Sequence, residues 1–192
     1  LDLSVIDEPP PGKLPTVTQV HNYKSEEKVW EFLSGRLAAG DQAYVVYPLL
    51  EDSEKLELKS ATSSAEHLTG RLAPHRVGLI HGRMKGEEKQ HVMDLFHRRE
   101  IDVLVATVVI EVGIDVPDAN VLVVEHAERF GLAQLHQLRG RIGRAGGQGY
   151  CLLLSDSRGQ NARQRLGILA ETADGFKIAE EDLRIRGPGE FF

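Results

Sequence analysis

The sequence predicts an α/β protein, a doubly wound and mostly parallel sheet with helices on both faces, and three observations carry that expectation. Apolar, β-branched runs recur along the chain. Stretches with apolar residues three and four apart separate them. The 192 residues are enough to bury one substantial core. Alternation of this kind is the pattern of βαβ units. Strands are expected at 17–20, 43–47, 77–80, 103–106, 121–124 and 149–154, and helices over 26–39, 61–72, 87–99 and 133–139, with Ser25 and Gly86 near two helix starts. Beyond Asp156, two more helices, 160–172 and 177–183, are separated by Ala-Asp-Gly and followed by Arg-Gly-Pro-Gly, which predicts a helical hairpin outside the sheet.

The first residues read differently. Four prolines and a glycine between Asp7 and Pro15 forbid a continuing helix and favour an extended connector. Before them Leu1, Leu3 and Val5 alternate with Asp2 and Ser4, as in the last strand of a preceding domain. The expected organisation is therefore a linker over 1–15, an α/β domain over 16–156, and the hairpin with a short loop over 157–192.

Composition narrows the class. Hydrophobic residues make up 41% and charged ones 27%, values of an ordinary folded domain. The longest apolar runs fall short of the roughly 20 residues that cross a bilayer. Cys151 is the only cysteine, so no internal disulfide forms, a zinc site is not expected, and a reducing cytoplasm suits the chain. A net charge of −6 argues against a surface that binds nucleic acid everywhere; positive charge gathers locally, at Arg139, Arg141 and Arg144 and again at Arg158, Arg163 and Arg165.

The first of these clusters carries the chemistry. In QLRGRIGR at 137–144, Arg141 and Arg144 are spaced to converge on one anion, and guanidinium offers phosphate a charged planar fork of donors. An exposed basic helix end is the plain alternative. Upstream, ATVVIEVGIDVP at 106–117 ends an apolar strand in a turn with Gly113 and Asp115, where backbone can approach a ligand closely. No Gly-x-x-x-x-Gly-Lys-[Ser/Thr] phosphate loop and no Asp-Glu-x-His strand end is present in the sequence, so half an ATP site is expected, unable to turn over alone.

These segments resemble motifs V and VI of the superfamily 2 helicases, and LIHGRMKGEEKQHVM at 79–93 resembles the stretch between motifs IV and V. The resemblance implies a RecA-like lobe, a P-loop NTPase-like fold without the P-loop. It implies that Arg141 and Arg144 are arginine fingers, that Gln137 senses the nucleotide state, and that Gly113 and Asp115 line the nucleotide. Thr107, with His81, Gly82 and Arg83, would meet the phosphate backbone of a DNA strand; a satisfied buried histidine is the alternative for His81. EHAERFGLAQLHQLRGRIGR at 125–144 is similar to two groups within that superfamily, the RecG helicases and the transcription-repair coupling factors, and RGPGE at 186–190 favours the first. In RecG-type proteins Arg165 and Arg186 would match hairpin and loop arginines that couple hydrolysis to movement. ATP and Mg2+ would then be held mainly by a first motor lobe, which with a DNA-binding wedge domain belongs to the same polypeptide, and the substrate would be branched duplex DNA in repair and recombination. A coupling-factor lobe, or a non-catalytic module that binds nucleic acid or a protein partner, remains the alternative.

Overall fold

Six strands form one sheet: β1 (Val17–Asn22), β2 (Gln42–Tyr47), β3 (Val77–Ile80), β4 (Val103–Thr107), β5 (Ala119–Val124) and β6 (Tyr150–Ser155). Every neighbouring pair is parallel, in the order β1-β6-β5-β2-β4-β3. The computed structural model describes residues 14–48, 54–107, 119–143, 147–156 and 160–172, with Ile178, Glu180, Leu183 and Arg184 beyond them. All six strands stand where the apolar runs predict. Most of the linker at 1–15 lies outside the described residues.

Residues facing both ways along the central strands are buried: β2 and β4 throughout, and β5 except for Asn120. Strands covered on both faces read as continuous apolar runs rather than alternating ones. Helices α1 (Glu26–Ala38) and α2 (Glu54–Arg71) cover one face, where Val29, Trp30, Leu33, Leu68 and Leu72 meet Ala43, Val45, Val103, Val121 and Leu152. On the other, α3 (Gly86–His97), α4 (Leu132–Arg139) and α5 (Gln160–Glu171) bring Met93, Phe96, Leu132, Leu135, Leu166 and Leu169 against Tyr44, Val46, Leu104, Leu122 and Leu153. β1 is a polar edge strand with Val20 40% exposed.

Two helix ends show how the chain is punctuated. α1 stops in a left-handed residue, Gly40 (φ 100), with Gly40 N–H donating to Leu37 O at 3.0 Å and Asp41 N–H to Arg36 O at 3.0 Å, a Schellman closure that glycine permits cheaply. α3 closes in the same way without glycine: Arg99 takes φ 63, and its N–H and that of Glu100 donate to Phe96 O and Leu95 O. Hence α3 ends at His97, two residues before the limit that apolar spacing predicts. α2 departs at its other end, starting at Glu54 rather than at 61. The hairpin's first helix is α5, and Ile178, Glu180, Leu183 and Arg184 are helical, as a second helix there requires.

Cys151 lies fully inside β6, and burial pushes its thiol pKa up to about 12. Thiolate is the reactive form, so an aromatic disulfide reagent at pH 8 is expected to leave native Cys151 unlabelled and to react once the chain is unfolded in urea. Rapid native labelling would contradict the packing of β6.

Candidate nucleotide-facing and DNA-facing edges

The parallel sheet gives the molecule two different ends. His81 follows β3 and Thr107 ends β4, adjacent strands in register with Ile80 opposite Ala106, so both lie at the carboxyl edge. His81 is half-buried; its backbone N–H donates to Met84 Sδ at 3.4 Å and its Nδ1 accepts from Arg83 N–H at 3.2 Å. Gly82 and Arg83 are exposed. Thr107 differs from what the resemblance implies: it is 1% exposed and its hydroxyl has no partner among the described residues. Among His81, Gly82, Arg83 and Thr107, the exposed residues are therefore Gly82 and Arg83 of this turn.

Gln137 and Arg141 lie elsewhere. α4 begins after β5 and runs back along the sheet, and Gly143 N–H donates to Ala119 O, the first residue of β5, at 3.2 Å. A side chain at Gly143 would meet the Gly149 backbone at 3.4 Å, and Gly143 itself takes φ 69, so glycine fits this close approach before β6. Gln137 is exposed and Arg141 half-buried at this amino edge. Six residues of strand put roughly 20 Å between the two edges. The structure thus separates the expected phosphate-contacting turn from the expected arginine finger. Gly113, Asp115, Arg144 and Arg186 lie outside the described residues.

Arg139 does not join the exposed basic cluster. It is 6% exposed, and its guanidinium donates to Thr18 Oγ1 at 3.2 Å, Thr172 O at 3.0 Å and Leu169 O, with His136 Nδ1 at 2.9 Å. Burial lowers its pKa. Arg165 is likewise turned inward: half-buried on α5, it donates to Phe130 O and, at 3.5 Å, to Glu128 O, rather than standing as a solvated charge. These two arginines tie α5 to both ends of α4, a role invisible in charge spacing.

A second group missed by that reading sits at the carboxyl edge of β5. Glu125 is 6% exposed; one carboxylate oxygen accepts from Tyr23 OH and the other from Tyr47 OH at 3.2 Å. Tyr47 OH also meets Ser64 Oγ. Burial raises the Glu125 pKa, partly offset by the two tyrosine hydrogen bonds, and burial together with the Glu125 charge raises both tyrosines. Beside them a cleft of about 670 Å³ opens between α1 and α2, lined by Glu26, Trp30, Tyr47, His67, Glu125 and His126 among others. The signal was a charge placed directly after a continuous apolar run.

With this geometry in place, relatives give it a context. Among solved structures, RecG bound to a three-way DNA junction superposes with a TM-score of 0.80 at 47% identity, over 96% of this chain and 24% of that one. Mycobacterium smegmatis Lhr helicase shares the fold at a TM-score of 0.59 and 20% identity, over 86% of this chain and 23% of that one. In sequence, the chain is 51% identical to the ATP-dependent DNA helicase RecG of Thermotoga maritima and 49% identical to that of Synechocystis sp., each over all of this chain and 25% and 23% of the relative. The chain spans about a quarter of the length of these curated relatives. The helicase conserved C-terminal domain model matches residues 15–146, and the chain belongs to that family.

Proposed function

We propose that this chain is the second motor lobe of an ATP-dependent DNA helicase of the RecG type, acting on branched DNA such as forks and Holliday junctions in repair and recombination, in the cytoplasm. The likeness in sequence and shape to RecG in complex with junction DNA carries the reading. The first motor lobe and a DNA-binding wedge domain of the same polypeptide are its partners, and that first lobe holds ATP and Mg2+. Among the described residues, Arg141 at the amino edge suits a triphosphate, with exposed Gln137 on the helix that leads to it, and a guanidinium stays charged in a closed, water-poor cleft. A bound triphosphate supplies the scissile γ-phosphoryl group. The chain's own work is to neutralise charge there with Arg141 and Arg144, to report the nucleotide state through Gln137, and to line the nucleotide with Gly113 and Asp115.

At the opposite edge the turn of His81, Gly82 and Arg83 takes the DNA backbone, where side-chain and backbone donors position a strand without reading its sequence. Thr107 joins that contact only when the end of β4 is uncovered. Arg165 and Arg186 couple the hairpin to the movement. Because arginine finger and DNA turn occupy opposite ends of one rigid sheet, closure on nucleotide at one end displaces the grip on DNA at the other. The full-length protein is expected to unwind a labelled three-way or four-way junction with ATP and Mg2+ and to leave it intact with a non-hydrolysable analogue, while this chain alone hydrolyses no ATP above background. Equal unwinding with and without hydrolysis would overturn the proposal.

A further inference from the structure

The Glu125 group plays no part in the reaction above, yet it sits at the hinge from which α4 departs. Glu125 is pinned twice, through its backbone N–H to Val46 O at 2.9 Å and through both carboxylate oxygens to Tyr23 and Tyr47. The next residue, His126, takes φ 50, a left-handed conformation uncommon outside glycine, although histidine enters it more readily than most side chains. Tyr23 braces it from two sides: its hydroxyl accepts from His126 N–H at 3.0 Å, and its ring lies 5.2 Å from the imidazole.

From this turn the path to the arginine finger is stiff. Arg129 N–H donates to His126 O at 3.0 Å and Phe130 N–H to Ala127 O at 3.1 Å; Ala127 and Phe130 are buried; Leu135 N–H donates to Gly131 O at 3.0 Å in the first turn of α4. A rotation at His126 is therefore carried along α4 to Gln137 and Arg141 rather than absorbed. We infer that Glu125, clasped by Tyr23 and Tyr47, is a positioning residue: it fixes the left-handed turn at His126 and so sets where α4 delivers Arg141. Its consequence for catalysis rests on the motor-lobe reading; the positioning itself does not.

The test compares Tyr23→Phe, which deletes one hydroxyl and keeps the ring, and Glu125→Gln in the full-length protein, using hydrogen exchange read by mass spectrometry and steady-state ATP hydrolysis. Amides over 126–141 are expected to exchange about tenfold faster in Tyr23→Phe and in Glu125→Gln, with peptides of β2 and β4 unchanged, because local opening is decoupled from global unfolding. The kcat for ATP should fall about tenfold, since small misplacements of a catalytic group cost up to about 10², while KM for ATP holds. Combined with Arg141→Ala, Tyr23→Phe should add no further loss, because both act through one group. Unchanged exchange over 126–141, a rise spread evenly over the sheet, or additive losses with Arg141→Ala would each overturn the inference. If the wild-type protein hydrolyses no ATP, the motor-lobe reading fails, and the exchange pattern alone then decides whether Glu125 positions α4.

Discussion

Arg141→Ala in the full-length protein is expected to lower ATP turnover by about 10³-fold or more while leaving nucleotide affinity nearly intact, and Arg144→Ala to do the same. A factor of 10³ corresponds to about 4 kcal/mol of transition-state stabilisation, far beyond what a solvated surface charge contributes. The size follows from when the interaction forms. On the motor-lobe reading, the γ-phosphoryl charge develops during transfer, so a guanidinium brought up by lobe closure would act on turnover, whereas affinity would come mainly from contacts made by the other lobe. Arg141→Lys separates charge from shape: it keeps the positive charge but loses the planar fork, and its activity should fall between wild type and alanine. Steady-state hydrolysis with junction DNA, alongside binding of a fluorescent non-hydrolysable analogue, reads both quantities. Turnover within tenfold of wild type for both alanine variants would remove the arginine-finger assignment.

The central strands were legible in the sequence because they are buried on both faces, and burial of that kind writes apolar runs such as VLVA in β4 and VLVV in β5. Helix ends were less legible where chemistry other than glycine closes them. Arg99 occupies the left-handed position that Gly40 occupies elsewhere, held by Arg76 Nη2 donating to its carbonyl at 2.8 Å, a tertiary contact that no local pattern encodes. The early start of α2 is hidden for another reason: Leu56 and Leu58 alternate as in a strand, although Glu and Lys around them favour helix. At the site, motif spacing singled out Gln137, Arg141 and the 81–83 turn as candidates, but spacing gives proximity along the chain and not direction. So Arg139, two residues from Arg141, was grouped with it although its guanidinium is buried, and Thr107 was expected to face a DNA strand although it is 1% exposed. Glu125 escaped because its partners, Tyr23 and Tyr47, are 102 and 78 residues away.

Arg139→Ala is expected to cost this chain about 3 kcal/mol of stability, the scale of losing buried hydrogen bonds from a charged donor, or a fall of roughly 6 to 12 °C in Tm for a domain of this size. The guanidinium has no carboxylate partner among the described residues, which makes its burial a puzzle on charge alone. The resolution lies in a helix end. Arg139 is the last residue of α4, and it donates to the carbonyls of Leu169 and Thr172 at the end of α5, so the carboxyl terminus of α5, which carries partial negative charge, meets the cation. Removing it leaves those carbonyls and the Thr18 hydroxyl short of a donor, at about 1 to 3 kcal/mol for each group that water cannot reach, and opens a void between α4, α5 and β1. Arg139→Met fills much of the void without supplying donors, so it should recover only part of the loss, whereas Arg98→Ala on the exposed end of α3 should stay within about 0.5 kcal/mol of wild type. Urea unfolding followed by circular dichroism ranks the three. If Arg139→Met matched wild type, the hydrogen bonds would be incidental and α5 would be held by apolar packing through Leu166 and Leu169 alone; if Arg139→Ala matched Arg98→Ala, the guanidinium would not be holding α5 to α4 at all.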